Sequence, residues 1–587
     1  CGEHGKRCAN TYLIAGAEAP SMEPSSRLFC CGWLRRCLPL TYREELYHIL
    51  CMTGPLVASR ILNYLLPFVI TMFCGRLGNS ELAGYGIASA TISITTAATG
   101  TGLALACDTL VSQTFGRKNL LRVGVILQRG ILILLLFCLP CWALLINTQP
   151  LLLLLGQDPE VASCVSYTQA MFLHQLQVAY LQNQGVILPQ MYAAAAANIA
   201  NVLTNYILIV WLDFGLYGSA AASTLAEVYI CVFLYAYIRW KRLHTETWGG
   251  WSLESLQEWG AYMKLAVPSS MMLCFEWWIY ELGGFLAGML SELDLAAQHA
   301  VITLATLNYM FPLGIQGAAC VRVGNALGAG DTAGAVLTCK VSLTSILAVL
   351  QGAVLASLKS FIGFLFTDDR QIVELVSKLM SVYCALEFFD GLVCVCMGIL
   401  LGSGQQKIAA VANLFGYYCI GLPLGISLMY AAKLEIIGFW LGLLICVCIQ
   451  STFFIIVIFK LNWERLTKQV IEIPRLSSIC QNGNDYQAVS SQDSDDVRST
   501  PVDQERLSIS QEGARMHQDG GKSSEPLSTS QLIIRRGLTT LAAVLIFAVG
   551  MSIHIIVPLP EVPHLQVSLA FYIVNISSSF FYSVNPF

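Results

Sequence analysis

From residue 44 onward, apolar stretches follow one another with short polar breaks. They predict spanning helices near 49–74, 82–111, 123–146, 161–180, 191–211 and 215–240, then near 261–290, 296–320, 341–366, 373–401, 408–430 and 436–460. Most reach the ~20 residues that a helix needs to cross the hydrocarbon core of a bilayer. A segment rich in Ser, Asp, Gln and Glu follows at 462–531, and its composition predicts a disordered cytosolic tail. Residues 538–557 predict a thirteenth helix. Periodicity thus gives an all-α polytopic membrane protein.

The apolar pattern repeats. GPLV at Pro55 matches VPSS at Pro268, and Gly75 before one ELA matches Gly288 before DLA, both 213 positions apart. LVSQTFG ending at Gly116 resembles VRVGNALG ending at Gly328, an offset of 212, and Asp158 aligns with Asp369 at 211. Helices 1–6 and 7–12 therefore read as two copies of a six-helix unit. An even number of spans gives both copies one orientation, a parallel repeat about an axis along the membrane normal. Two such lobes around a midplane cavity are a transporter architecture. The offset jumps to 219 where LQNQG, ending at Gly185, meets LLGSG, ending at Gly404. The first lobe is thus eight residues short between Asp158 and Gly185, about 12 Å of helix. Helix 4 is therefore expected to barely cross the bilayer.

This frame divides the chain into an N-terminal cytosolic segment (1–43), an N-lobe (44–240), a cytosolic linker (241–260), a C-lobe (261–461), the disordered tail (462–536), helix 13 (537–558) and an external tail (559–587). The first methionine is Met22, and residues 1–21 are read as sequence not native to the protein.

Composition agrees. The chain is 56% hydrophobic and 12% charged, against roughly 25% charged in soluble domains. A net charge of −4 gives no reason to expect nucleic acid. The 22 cysteines are scattered through apolar runs, and pairs such as Cys394/Cys396 lack the spacing and histidines of a zinc site; they read as buried thiols, with no metal and no cofactor. The run Gly521-Lys522-Ser523 has Met516 where a phosphate loop needs glycine, so the chain carries no nucleotide-driven motor and is not an enzyme. Work must come from an ion gradient. Basic residues cluster at Arg27–Arg43, Arg117–Arg122, Arg239–Arg242, Lys460–Lys468 and Arg535–Arg536, all on one side of the membrane in this topology. The positive-inside rule puts the N-terminus in the cytosol and, through helix 13, the C-terminus outside.

Candidate chemistry centres on MLCFEWWIYELGG, residues 272–284, where Glu276 and Glu281 lie among Trp277, Trp278 and Tyr280. A charge at bilayer depth costs at least ~2.5–3.5 kcal/mol, so intramembrane carboxylates mark functional sites by default. Aromatic rings beside a carboxylate suit a cation. The two acids are about 140° apart around a helix, so one cavity faces both only if it is wide. Glu387 and Asp390, three residues apart, share a helix face. Two close carboxyls tend to keep one proton between them, which is how a site trades a proton for a cation. His299 reads as a hydrogen-bonded core histidine. Arg60 in helix 1 and Glu227 in helix 6 are lone mid-helix charges of opposite sign, and an ion pair between them is expected.

At these residues the chain resembles a known family. MLCFEWWIYELG, CVRVGNALGAGD, GYYCIGLPLGISLM, ACDTLVSQTFG, GVILQRG, CLPCWALLINTQ and WGGWSLESLQEW are similar to the multidrug and toxin extrusion (MATE) family, in its animal solute-carrier branch. The resemblance covers about 43–463 and the LIIRRG before helix 13. It implies a monomeric plasma-membrane antiporter in contact with membrane lipids, exchanging protons for small organic cations. It places the family's helix-7 acids on Glu276 and Glu281, their aromatic partners on Trp277 and Tyr280, and the helix-10 acid on Asp390. The chain departs from the pattern at Thr303, where the resemblance expects a helix-8 glutamate, at Ser93, where it expects asparagine, and at Leu401, where it expects arginine. A flippase for lipid-linked substrates and a homologue inactivated by its shortened helix 4 are the alternatives.

Overall fold

The computed structural model describes residues 39–77, 93–147, 168–213, 215–344, 357, 369–472 and 529–556. Every element among them is helical. A chain in hydrocarbon must satisfy each backbone N–H and C=O within its own segment, which long helices do.

Beside a 3-10 turn Leu253–Leu256 and a short helix at 463–472, thirteen helices build the body among the described residues. They are α1 (Leu40–Leu77), α2 (a π-helical turn Ser93–Ala97 continuing as Ala98–Gly116), α3 (Leu120–Ile146), α4 (Thr168–Gln182), α5 (Leu188–Asn205 with a π-helical end Tyr206–Trp211), α6 (Gly215–Trp240) and α7 (Trp259–Leu290). Then come α8 (Glu292–Ala329), α9 (described over Thr332–Thr344), α10 (Arg370–Gly402), α11 (Gln406–Asn413, π-helical Leu414–Gly421 and Leu422–Tyr430), α12 (Glu435–Lys460) and α13 (Thr529–Ile556). Among the described residues, nine helices are long and apolar enough to cross a membrane. The helices α7 and α8, with 32 and 38 residues, have the length but carry polar side chains along the interior.

Local chemistry sets the helix ends. Asn119 caps α3 by accepting from Arg122 N, and Asp369 caps α10 by accepting from Gln371 N. Ser291 caps α8 by accepting from Asp294 N, while its hydroxyl donates to Asp294 at 2.6 Å. Gly330, at φ +82°, closes α8 in the left-handed conformation. The helix α9 begins at Thr332, well before the predicted 341, because Asp331 accepts from Gly334 N and opens a new turn at once. In the segment predicted to be disordered, 463–472 is helical. Trp463 and Leu466 bury into the second lobe there, and Thr467 bonds Thr332 at 2.9 Å. At the other end of that tail 529–536 are helical too, as the start of α13, while 473–528 lie outside the described residues, as do 1–38, 557–587, the predicted starts of helices 2 and 4 and most of the predicted helix 341–366.

Matching positions of the two halves build matching structures. Gly185 and Gly404 both have positive φ, +78° and +77°, and end α4 and α10 in the same turn. Asn201 of α5 donates to the Leu66 carbonyl of α1 at 2.9 Å, and Asn413 of α11 donates to Met272 of α7 at 2.9 Å. Both α5 and α11 then widen into a π-helical stretch.

One core joins α1 to α6 around Phe172, Leu176, Leu181 and Ile230, and it also takes in Trp259, Tyr262 and Ala266 from the start of α7. A second joins the later helices around Ile279, Tyr383, Phe439 and Trp440. The lobes meet closely at one end. Gly116 leaves no room for a Cβ, which would fall 2.2 Å from the Asn325 carbonyl oxygen; at Gly328 it would fall 2.1 Å from that of Gln113. Glu45 of α1 crosses to Arg322 of α8 in an ion pair buried at the Glu45 end, and Thr338 of α9 donates to the same carboxylate at 2.6 Å. Thr109 donates to the Leu401 carbonyl at 2.7 Å and Gln113 to that of Gly402 at 3.0 Å, tying α2 to α10.

Candidate functional site

Glu276 sits mid-way along α7 and is 5% exposed. Its carboxylate accepts a hydrogen bond from the Tyr309 hydroxyl of α8 at 2.6 Å. Asp390 of α10 is 6% exposed, and its charge acts on Glu276, Tyr280, Tyr309 and Tyr417 together. Cys394, one turn along α10, bonds Tyr309 and feels both carboxylates. Four helices, α7, α8, α10 and α11, thus bring two acids and three phenols into one interior site.

Glu387 belongs to the same electrostatic group but is sealed at 0% exposure. One of its oxygens accepts from the Tyr383 hydroxyl at 2.5 Å, and Asn308 of α8 donates to that hydroxyl at 3.3 Å. Its other oxygen has no hydrogen-bond partner. A half-satisfied carboxyl in a dry site favours the neutral acid over the bare charge.

The remaining expected residues fall elsewhere. Glu281, half-buried, makes no hydrogen bond or ion pair with a described residue and feels neither Glu276 nor Asp390, as the rotation around α7 implies. Trp277 is 40% exposed on the outer face of the same helix, whereas Tyr280 turns into the cluster. His299 is not hydrogen-bonded as expected: neither ring nitrogen has a partner among the described residues. Thr303 is buried one turn further along α8. Tyr309, Asn308 and Cys394 were not singled out from the sequence; only Tyr383, four residues from Glu387 on one helix, carried a readable signal.

The ion pair expected between Arg60 and Glu227 does not form. Four ion pairs occur among the described residues: Arg122–Glu258, Arg129–Glu258, Arg322–Glu45 and Lys378–Glu374. The charges that act on Arg60 are Asp108 of α2 and Cys394, while no charge acts on Glu227. Asp108 in turn accepts from Asn183 at 2.5 Å, at the end of α4. Helix 2 therefore supplies the counter-charge that the sequence had suggested for helix 6.

Known proteins carry the same pattern. The family model MatE matches the chain twice, at 55–207 and at 268–426. The chain is 47% identical to a multidrug and toxin extrusion protein 1 of Danio rerio over 556 residues, covering 90% of this chain and 94% of that one. It is 42% identical to the Homo sapiens protein of that name over 548 residues, covering 88% and 95%. Among solved structures it resembles the eukaryotic MATE transporter AtDTX14, with a TM-score of 0.69 and 26% identity over 74% of this chain and 99% of that one. The Vibrio cholerae MATE transporter VcmN in its bent form shares the fold at 17% identity, with a TM-score of 0.62 over 74% and 100%. These matches make the protein a multi-pass membrane transporter rather than an enzyme. The chain belongs to the multidrug and toxin extrusion family.

Proposed function

We propose that the protein is a proton-coupled antiporter that exports small organic cations through the second-lobe site. The observation that carries this reading is the buried Glu276 carboxylate, bonded by Tyr309 at 2.6 Å and paired electrostatically with Asp390. Two carboxyls in one dry site hold a proton or a cation more stably than two bare charges. A cation entering the site takes the place of the proton, and a proton arriving from outside expels the cation. Tyr309 keeps Glu276 aimed at the cleft in both states. Glu387, sealed behind Tyr383, supports the site without touching the cargo.

In this reading the basic loops face the cytosol at the plasma membrane, the N-terminus is inside and α13 leads outward. The closed end, where Glu45 meets Arg322, is then the cytosolic one. The experiment is uptake of a fluorescent organic cation into proteoliposomes with and without an acidic interior. The Glu276→Gln variant should fold normally and lose the uptake that the pH gradient drives. Equal uptake by Glu276→Gln and the parent would overturn the assignment. No uptake by the parent would favour an inactive homologue.

A further inference from the structure

Helices α11 and α12 form an antiparallel hairpin that is closed at one end and open at the other. Near their connection the two backbones touch: a Cβ on Gly442 would fall 2.5 Å from the Gly425 Cα, and one on Gly438 2.6 Å from the Leu428 carbonyl carbon. Toward the free ends they part. From Ile420 and Cys446 to Lys407 and Phe453 a groove of about 570 Å³ runs between them, a ligand-sized volume. Its walls are apolar, and Val411, Phe415, Ile449 and Phe453 stand exposed on them. The stretch of α11 from Lys407 to Ile420 rises about 20 Å at 1.5 Å per residue. Half of a ~30 Å hydrocarbon core is about 15 Å. The groove therefore reaches from one membrane face to mid-bilayer.

The first lobe fills the same place with side chains. Asn201 of α5 corresponds to Asn413 of α11, 212 positions on, while α6 and α12, each of 26 residues, start and end 220 positions apart. By these offsets Gly416 corresponds to Thr204 and Ile449 to Tyr229. The Thr204 and Tyr229 hydroxyls share a hydrogen bond of 2.9 Å, and the Tyr229 ring stacks on Phe233 at 6.2 Å, so a bridge closes α5 onto α6. Glycine and isoleucine cannot build that bridge. The second lobe stays open where the first is shut.

The open groove also carries a charge that its counterpart lacks. Lys407, at the mouth, corresponds to Ala195. It is exposed and makes no ion pair with a described residue. Lys460, the last residue of α12, lies at the same end of the hairpin. An ammonium group is a point-charge partner for phosphate. An apolar furrow one leaflet deep, with a cation at its mouth, is complementary to a lipid whose headgroup is negative.

We propose that this groove is a binding site for an acidic phospholipid of the cytosolic leaflet. One acyl chain lies between α11 and α12, in the place of the Thr204–Tyr229 bridge, and the headgroup phosphate meets Lys407. Basic pockets between spanning helices on the cytosolic side hold anionic headgroups in this way. The groove wall also bears on the cation site: Gln450 donates to Asn413 at 2.5 Å, and Asn413 donates to the Met272 carbonyl, one turn before Glu276. The choice of leaflet rests on the orientation proposed above.

Photolabelling tests the site. The purified protein is placed in phosphatidylcholine vesicles containing a trace of phosphatidylserine or of phosphatidylcholine with a diazirine on one acyl chain. After irradiation the labelled peptides are mapped. The serine lipid should label 407–420 and 446–453 several-fold more than the choline lipid, and unlabelled phosphatidylserine should compete. Lys407→Gln, on an exposed position, should cut that labelling roughly fivefold, the effect of one basic side chain on an anionic lipid. The double variant Gly416→Thr, Ile449→Tyr rebuilds the first-lobe bridge and should abolish groove labelling by both lipids. Melting temperatures in phosphatidylcholine alone establish that the variants fold; if the double variant does not, Lys407→Gln decides.

Equal labelling by the two lipids overturns the proposal, since it means ordinary solvation by the bilayer. Parent-like labelling of Lys407→Gln overturns it as well. So does displacement of the label by an organic cation, which would make the groove a cargo site, or labelling that falls as copies of the chain crosslink there. The vesicles carry the same lipids on both sides and no gradient, so failure of the antiporter reading, seen as absent uptake, does not alter this result.

Discussion

Ser112 of α2 and Gly324 of α8 are equivalent positions of the two halves, and they touch: a Cβ on Gly324 would fall 2.1 Å from the Ser112 hydroxyl oxygen. Two equivalent residues can meet only on the axis that relates them. The pseudo-two-fold axis of the repeat therefore runs between α2 and α8. The reciprocal contacts of Gly116 with Asn325 and of Gly328 with Gln113 flank it symmetrically. The only substituent that fits at either glycine is hydrogen.

The first prediction follows from that contact. A methyl group at Gly116 meets backbone at 2.2 Å, which cannot rotate away. Forcing an extra carbon into a packed contact costs typically ~1–3 kcal/mol. Gly116→Ala and Gly328→Ala should each lower the melting temperature in detergent by several degrees. Gly54→Ala, with nothing within 4 Å, should match or exceed the parent. Equal melting of all three would mean that the lobes are not closed there.

Tyr309→Phe removes one hydroxyl and one hydrogen bond to a carboxylate. Such a bond contributes ~1.5–3 kcal/mol, so cation affinity at the Glu276 site should fall roughly tenfold or more. Binding of a radiolabelled organic cation to the purified variant measures this. Tyr383→Phe, which removes the hydroxyl that joins the sealed Glu387 to Asn308 and the Ala305 carbonyl, should disturb cation affinity far less and stability more.

The Glu45–Arg322 pair makes an asymmetric prediction. The Glu45 side chain is 9% exposed and that of Arg322 34%. Arg322→Met strands a carboxylate in the interior, at a cost of ~3–5 kcal/mol. Glu45→Gln leaves an arginine that water can still reach, so it should cost less. The double variant should be more stable than Arg322→Met alone, a result that thermal melts of the four proteins can read directly.

Helix α13 packs on α3 through a small-residue contact. A Cβ at Gly550 would meet that of Ala143 at 2.7 Å, and Asn147 donates to the Gly550 carbonyl at 2.8 Å. Gly550→Leu should undock the helix. Cysteines at 142 and 547, where Trp142 and Phe547 have ring centroids 6.2 Å apart, should crosslink in the parent background and fail to do so with Gly550→Leu.

Much of this was legible in the chain, for physical reasons. A bilayer demands long apolar runs, so hydropathy revealed the helices, and the glycine turns at Gly185 and Gly404 marked the repeat. Intramembrane acids are costly, so Glu276 and Asp390 stood out. The helical period also foretold that Glu276 and Glu281 would face apart. What hydropathy cannot show is which helix faces which. Tyr309 meets Glu276 only because α8 packs on α7. Arg60 answers to Asp108 of α2 rather than to Glu227, although it is α6 and not α2 that packs along α1. Nor did polarity reveal that 463–472 folds back: its Trp463 and Leu466 are too few to register in a polar stretch. The eight-residue deficit lies between Asp158 and Gly185, where 159–167 fall outside the described residues and α4 is described over Thr168–Gln182. Restoring eight apolar residues after Met171 should raise surface expression and transport.

The linker ahead of α7 has a mechanical consequence. Glu258 holds Arg122 and Arg129 of α3, Tyr262 donates to the Leu103 carbonyl at 3.0 Å, and Arg536 of α13 lies 4.3 Å over the Trp259 ring. The root of α7 is thus bolted to the first lobe, although its sequence belongs to the second. Nine residues on, Pro268 has no N–H to bind the Lys264 carbonyl, leaving one rung of the helix ladder missing. Any rocking of the second lobe must then load α7 between a fixed root and a weakened rung. Pro268 is the point where α7 bends most easily, with Ser270 just beyond it still donating to the Thr99 carbonyl of the first lobe at 3.0 Å and Glu276 two turns further on.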